Sequence, residues 1–244
     1  MADPSGIGRE TERISAFYDA RDASERLDWT WGDPAYTAWM QDLEWKLLQV
    51  FRTLGVHLPT SDVLDVGAGG GYFSNRLLDY GARTATAVEL LERRAQAARS
   101  RYAGLEVVQG NAADMPFPDD HFDVVTQFMC LSSIHDAAMR RAVGSEMRRV
   151  TRPGGIVLSF DVVPRPKLQR AGRRLRRLGD GPKELLELSR EEFEQIVGAK
   201  LVAASFVGFP QEVAPVMRAV APLARAVTML FPLRVHLLMA ARIH

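Results

Sequence analysis

Three glycines and two acidic residues have the spacing in this sequence that best fits a chemical role. Asp65 stands two residues before Gly67, the first glycine of the segment GAGGG, and Glu89 lies 18 residues after Gly71. Gly67, Gly69 and Gly71 lack a Cβ, so the backbone there can approach a ligand closely. An acid beside such a turn can meet a ligand ammonium, and an acid at the end of the next strand can accept both hydroxyls of a ribose. The dinucleotide fingerprint GxGxxG fails, because no glycine stands at its third position.

An amide follows the next apolar run. Asn111 and Ala112 lie in the segment QGNAADMPF, directly after a predicted strand. An amide side chain and a backbone N–H can together pair with the edge of an adenine ring. The alternative is that Asn111 merely caps its own turn, and both interpretations stay open.

The elements that position these residues alternate between short apolar runs and helical patterns. The pattern predicts strands at 62–66, 83–88, 105–109, 122–129, 155–160, 201–207 and 235–243, and helices at 72–80, 91–102, 137–150 and 190–197, the third with Asp136 as N-cap. Such alternation indicates right-handed crossovers. We therefore expect an α/β fold with a doubly wound, seven-stranded, mainly parallel sheet and an antiparallel edge. Ligands of such sheets bind at the carboxyl ends of the strands.

The order of these motifs resembles that of the class I S-adenosylmethionine-dependent methyltransferases. The resemblance covers residues 60–163 and rests on the glycine motif, Glu89, the NAADMPF loop, FDVV at 122–125 and EMRRVTRPGG at 146–155. It is strongest to the small-molecule branch, which includes enzymes of quinone, natural-product and glycan pathways. Asn111 departs from the family, which more often has Asp there. The amide keeps an acceptor for the adenine amine and loses a charge.

The resemblance implies a cofactor and assigns its parts. S-adenosylmethionine would be the donor and S-adenosylhomocysteine the product, with Asp65 and the glycines holding the methionine part, Glu89 the ribose, and Asn111 with Ala112 the adenine. The predicted cofactor site is completed by Ala68, Leu90, Gln127 and Phe128. No metal is expected, because the sequence shows no convincing cluster of carboxylates for one.

The segment after the fourth strand carries the candidate acceptor residues. Gln127 and Phe128 end the strand, and Ser132, Ser133 and His135 follow within reach of a substrate. His135 is a candidate general base for an oxygen nucleophile, because imidazole is the side chain most often used in general acid–base catalysis. A histidine at the start of a helix is also often a surface residue. In-line methyl transfer can proceed by alignment of the two reactants alone, without a base.

The N-terminal 55 residues look helical and rich in aromatic side chains. All four tryptophans, at 29, 31, 39 and 45, lie there within 17 residues. We predict a lid over residues 1–55 that presents Tyr18, Trp31, Tyr36 and Trp39 to the acceptor, and a catalytic domain over residues 56–244. Packing of a helical flap on the domain or on a second subunit is the alternative, so a homodimer stays open.

A basic insertion at 164–183 interrupts a chain whose formal net charge is only +1. It holds eight Lys or Arg and one acid. It can be a solvated surface insertion, a border of the acceptor pocket that suits a phosphate or carboxylate, or, with the apolar stretch 214–233, a contact to an anionic membrane surface. The near-neutral whole-chain charge argues against a dedicated nucleic-acid binder.

Composition bounds the remaining function classes. One cysteine cannot form an internal disulfide, and the N-terminus lacks the apolar region of a signal peptide, so we expect a cytoplasmic protein. The segment after the fourth strand does not resemble that of enzymes that methylate DNA bases. We therefore expect O-methylation of a small acceptor, such as a secondary metabolite or a sugar. Alternatives are N- or C-methylation, an RNA or membrane-associated anionic substrate, and a cofactor-binding protein without catalysis.

Overall fold

A computed structural model of the chain describes residues 4–23, 34–163, 185–207 and 236–244. The basic insertion 164–183, the predicted apolar stretch 214–233 and Trp31 lie outside the described residues. Tyr36 lies in a described helix, but its side chain is not described.

The helices and strands alternate along the chain as the sequence predicts. The helices are α1 (Pro4–Ala23), α2 (Pro34–Leu54), α3 (Tyr72–Asp79), α4 (Glu92–Arg101), α5 (Ala137–Val150) and α6 (Arg190–Val197). The strands are β1 (Asp62–Val66), β2 (Thr84–Glu89), β3 (Glu106–Gln109), β4 (Phe122–Phe128), β5 (Thr151–Val162), β6 (Leu201–Val207) and β7 (His236–Arg242). A 3-10 turn, Leu131–Ser133, follows β4. Asp136 caps α5 as predicted, because its side chain accepts a hydrogen bond from Met139 N at 2.7 Å.

One strand begins earlier than the sequence predicts. β5 starts at Thr151, and the PGG segment that favoured a later start lies inside it. Phe122 pairs with Thr151, whereas Val124 pairs with Ile156, so β5 bulges between these pairs. Gly154, with φ +84°, supplies the backbone conformation that the bulge needs.

The seven strands form one sheet in the order β3-β2-β1-β4-β5-β7-β6. Strands β1 to β5 are parallel, and β7 pairs antiparallel with both β5 and β6. This confirms the predicted α/β fold with a mainly parallel sheet and an antiparallel pair at one edge. The carboxyl ends of β1 to β5 therefore lie along one side of the sheet.

Helices cover both faces of the sheet. On one face, Met139, Val143 and Met147 of α5 pack on inward residues of β1, β4 and β5, together with Ile14 of α1 and Phe193 of α6. On the other face, α2 and α3 pack on the alternate residues of the same strands. The two faces differ because successive strand side chains point to opposite sides.

Helix α2 packs against the sheet and forms part of the core. Leu43 and Leu47 are fully buried in the core between α2 and the strands. Glu44 joins α2 to α3 by accepting hydrogen bonds from Tyr72 Oη at 2.5 Å, Tyr80 Oη at 2.6 Å and Arg76 Nη2 at 3.0 Å. Within the described residues, no helix is long and apolar enough to cross a membrane.

Candidate active site

The glycine turn after β1 is held close to the segment that follows β4. Gly67 N and Ala68 N both donate to Val88 O, at 2.8 and 3.0 Å. Gly67 has φ +69°, and a Cβ at this position would lie 2.6 Å from Cys130 Sγ. Both the positive φ and the close approach require glycine there. Gly69 and Gly71 also have positive φ.

Asp65 is buried directly beneath this turn. Its Oδ2 accepts a hydrogen bond from Ser74 Oγ at 2.7 Å, and its Oδ1 accepts one from Thr126 Oγ1 at 3.1 Å. Burial, with a smaller contribution from the nearby Glu89 carboxylate, raises the pKa of Asp65 to about 7. The site therefore holds a carboxyl group that a cationic ligand would return to its ionised form.

Glu89 lies at the end of β2, beside the glycine turn. Its Oε2 accepts a hydrogen bond from Gly69 N at 2.7 Å, and its Oε1 accepts one from Leu91 N at 3.0 Å. Each carboxylate oxygen has a further lone pair, so the same group can also accept two ligand hydroxyls. Leu90, half-buried beside it, receives a hydrogen bond on its carbonyl oxygen from Gln109 Nε2 at 2.9 Å.

The loop after β3 shows that Asn111 does cap its own turn. Asn111 Oδ1 accepts a hydrogen bond from Ala113 N at 2.9 Å, which leaves one lone pair on that oxygen. Among the described residues, Ala112 N has no acceptor. An acceptor and a free donor therefore stand at adjacent residues, which is the pair that an adenine edge requires. Met115 is buried in the core, while Phe117 is half-buried.

Gln127 is fully buried at the end of β4, and its side chain is engaged within the protein. Its Nε2 donates to Ser159 Oγ at 2.5 Å and to Asp161. Its Oε1 accepts from Cys130 N at 2.8 Å and Leu131 N at 3.2 Å. The backbone of the turn after β4 is thus built on this amide.

Asp161, which sequence analysis missed, completes the support of that turn. It lies fully buried at the end of β5, and its Oδ1 accepts a hydrogen bond from Ser132 N at 3.1 Å. Burial raises the pKa of Asp161, although the hydrogen bonds that its carboxylate accepts act in the opposite direction. Ser132 and Ser133 both donate their hydroxyls to Met129 O, a residue with φ +64°. A polar residue in the apolar run of β5 was the available signal.

Phe128 points to the opposite face from Gln127 and enters a group of rings. It stacks on Phe73 with a centroid distance of 3.9 Å and lies 6.4 Å from Phe160. Trp39 and His236 pack on Phe160, at 5.7 and 5.3 Å. We call these five residues the aromatic cluster. It places Trp39, one of the predicted acceptor residues, beside the ends of β4 and β5.

Helix α1 lies against the turn after β4. Tyr18 Oη and Ser133 Oγ share a hydrogen bond of 2.9 Å, and Arg13 Nη2 donates to Ser133 O at 2.6 Å. Glu10 Oε1 accepts a hydrogen bond from His135 N at 2.5 Å. The structure therefore brings Tyr18 and Ser133 together as candidate acceptor residues, while the His135 side chain is exposed.

Arg94 of α4 links α1 to the glycine turn. Its Nη2 and Nε donate to the two carboxylate oxygens of Asp22, at 2.6 and 2.9 Å. Its guanidinium lies over the ring of Tyr18, 4.2 Å from the centroid. Arg94 Nη1 would be 3.8 Å from a Cβ built at Gly69, so the contact between α1 and α4 is adjacent to the glycine turn.

Comparison with known proteins supports the fold and shows which proteins the chain resembles. A family model described as a methyltransferase domain matches residues 64–159. A fatty-acid O-methyltransferase from Mycolicibacterium smegmatis is 34% identical over 161 residues, which cover 64% of this chain and 56% of that relative. By these matches the chain is similar to the class I S-adenosylmethionine-dependent methyltransferases.

Other relatives match the chain over part of their length. A malonyl-[acyl-carrier protein] O-methyltransferase from Serratia marcescens is 33% identical over 119 residues, or 49% of this chain and 45% of that one. The chain thus spans about half the length of these relatives. The PH0226 protein from Pyrococcus horikoshii OT3 superposes with a TM-score of 0.64 at 19% identity, over 92% of this chain and 99% of that chain. That likeness shows the fold.

The residues at the strand ends fit S-adenosylmethionine by their chemistry. Successive strand ends offer a buried carboxyl group under a glycine turn, a carboxylate with spare lone pairs, and an amide oxygen beside the backbone N–H of Ala112. These suit an ammonium, a ribose diol and an adenine edge in that order. Among the described residues, no group of three or more His, Cys, Asp or Glu is placed to hold a metal ion.

Proposed function

We propose that this protein is an S-adenosylmethionine-dependent methyltransferase that transfers a methyl group to an oxygen atom of a small acceptor with an apolar body, such as a secondary metabolite or a sugar derivative. The observation that carries the proposal is the pair of side-chain groups at the end of β4. The buried polar turn of Ser132 and Ser133 lies on one side of this strand end, and the aromatic cluster lies on the other. Two relatives are named O-methyltransferases, one of fatty acids and one of a malonyl thioester of a carrier protein.

In the proposed donor site, each part of the cofactor meets a separate strand end. Asp65 would bind the methionine ammonium, Glu89 would accept the ribose hydroxyls, and Asn111 with Ala112 would pair with the adenine. Gln127 would act through the turn that it supports, because its own polar groups are already paired. When bound, S-adenosylmethionine supplies a methyl group on a sulfonium, which is a strong electrophile.

The protein contributes alignment and exclusion of water in this proposal. Tyr18 closes one side of the acceptor space through Ser133. Holding two reactants in line can supply much of a rate enhancement without a base. A carboxylate acceptor is already nucleophilic, so it needs no base. For a hydroxyl acceptor, His135 stays our proposed base, because its exposed ring follows the turn directly.

The test is methyl transfer from S-[methyl-14C]adenosylmethionine to three probes that differ in their oxygen: dodecanoic acid, a phenol and a monosaccharide. We expect label in at least one organic product, and mild alkali distinguishes a methyl ester, which releases labelled methanol, from an ether. Glu89→Gln should reduce transfer by about tenfold, since it weakens a charge-assisted contact to the donor. Label on nitrogen or carbon of a wider acceptor panel would contradict O-methylation. Donor binding without transfer to any acceptor would favour the protein without catalysis.

A further inference from the structure

The loop that follows β3 is fastened to the last turns of α5. Glu146 Oε2 accepts a hydrogen bond from Met115 N at 2.8 Å. Arg149 Nη2 donates to Met115 O at 3.0 Å, and Arg149 Nη1 donates to Phe117 O at 2.7 Å. Three backbone groups of the loop are therefore held by two side chains of one helix.

Glu146 and Arg149 also bind each other in a fixed geometry. Arg149 Nε donates to Glu146 Oε1 at 2.6 Å, and Arg149 Nη2 donates to Glu146 Oε2 at 2.7 Å. Although burial opposes ionisation, the hydrogen bonds from Arg149 and Met115 N lower the pKa of Glu146. The two groups form a bidentate pair, which restrains orientation as well as distance.

The loop has few restraints of its own between β3 and Met115. Within it, Ala113 N and Asp114 N bond back to Asn111 at 2.9 and 3.0 Å, which fixes the turn internally. These local bonds do not set where the turn lies relative to the sheet. That position is set at one end by Gly110 N, which donates to Glu89 O at 3.0 Å, and at the other by the pair on α5 together with the burial of Met115 in the core.

We infer that Glu146 and Arg149 are positioning residues for adenine recognition by Asn111 and Ala112. The inference rests on the proposed donor site. An adenine edge needs an acceptor and a donor at one spacing, and a hydrogen bond weakens steeply when its angle or distance is lost. Holding Met115 and Phe117 keeps the turn in the register that the base requires. Within the EMRRVTRPGG segment, Glu146 and Arg149 thereby acquire a role in the reaction.

The experiment compares two ligands that differ only at the base. S-adenosylhomocysteine has a 6-amino group and an unprotonated N1, whereas S-inosylhomocysteine has a 6-oxo group and an N1–H, so it opposes both partners in the loop. Calorimetry of the full chain gives Kd for both ligands and the fraction of competent sites. The variants are Arg149→Lys and Glu146→Gln. The matched control is Arg148→Lys, since Arg148 is the adjacent arginine of α5 but donates to Gly198 O, at 2.5 Å, on the side of α6.

We expect the unaltered protein and Arg148→Lys to prefer S-adenosylhomocysteine by about tenfold or more, the effect of one or two well-made hydrogen bonds. In Arg149→Lys and Glu146→Gln, the preference should fall to about twofold, chiefly through weaker S-adenosylhomocysteine binding. If Glu146 and Arg149 serve only stability, the two variants should lower both affinities or the fraction of competent sites, while the ratio of the two Kd values stays unchanged. That result would overturn the inference but not the adenine assignment. No preference in the unaltered protein would overturn the adenine assignment and the inference with it.

Discussion

The titration of Asp65 should couple binding of the proposed donor to pH. Burial raises the pKa of this carboxyl to about 7. A ligand ammonium would be bound by the ionised form of the carboxyl. The affinity for S-adenosylhomocysteine should therefore rise by up to about tenfold per pH unit below pH 7 and level off above it. Asp65→Asn should weaken binding and flatten this profile, as measured by calorimetry between pH 5.5 and 8.5.

A carboxylate at the other end of β1 provides the control for this profile. Arg83 holds the pKa of Asp62 at about 2, so Asp62→Asn should leave the midpoint near pH 7 in place. The pH dependence of folding stability has the opposite sign to that of ligand binding. Since the folded pKa of Asp65 exceeds its ordinary value, its contribution to stability is full below about pH 4 and is lost as the pH rises to about 7. If the pH profile of S-adenosylhomocysteine binding keeps its slope in Asp65→Asn, the assignment of Asp65 to the ligand ammonium is wrong.

The sequence allows the ends of the strands to be predicted, but it does not show in which direction the side chains at those ends point. Asp65 and Glu89 follow short apolar runs, so their place beside a ligand depends only on strand boundaries. Gln127 occupies an equivalent place, but it pairs with Ser159 across the register of β4 and β5 and turns inward. Asp161, its partner, lies 34 residues away, and only the fold brings the two together.

At the scale of elements, α1 should control the escape of the donor product. Asp22 of α1 is 8% exposed and binds Arg94, which is 20% exposed and adjoins the glycine turn. Asp22→Asn removes the charge from this partly buried contact and should speed dissociation of S-adenosylhomocysteine by about three- to tenfold, as stopped-flow displacement would measure.

The same helix offers a matched control. Asp19 pairs with Arg93, and these side chains are 61% and 54% exposed, so Asp19→Asn should leave the dissociation rate within about twofold of the unaltered value. Equal rates in all three proteins would show that α1 does not gate the site. Equal acceleration in both variants would point to a general effect of charge.

The two N-terminal helices show where prediction of elements ends. The sequence predicts a helical, aromatic segment over residues 1–55, and both helices are present. The surface that each helix covers depends on partners that are distant in the sequence. Glu44 of α2 forms an ion pair with Arg76 of α3, and Asp22 of α1 forms one with Arg94 of α4. Trp45 of α2 is 62% exposed, whereas Trp39 joins the aromatic cluster. Composition alone does not separate these two environments.

At the scale of the whole molecule, two chain segments of unlike composition join the sheet at the same place. Val162 of β5 and Val207 of β6 both pair with His236 of β7. The described ends of β5 and β6, and the start of β7, therefore lie at the carboxyl side of the sheet, where the proposed donor residues lie. The basic insertion follows β5 in the sequence, and the apolar segment lies between β6 and β7 in the sequence. The insertion 164–183 carries eight basic side chains and one acidic, which leaves 23 basic and 29 acidic side chains for the rest.

This division of charge predicts that the basic insertion selects anionic acceptors. The variant replaces the arginines at 173, 174, 176 and 177 with glutamine. At roughly 0.3 kcal/mol per screened charge, KM for dodecanoate should rise by about eightfold at low salt, while Kd for S-adenosylhomocysteine stays constant. The difference should shrink at 0.5 M NaCl, because screening already weakens the interaction in the unaltered protein. Replacing two exposed arginines elsewhere, Arg101 and Arg141, should have little effect. An unchanged KM in the four-arginine variant would mean that the insertion takes no part in acceptor binding.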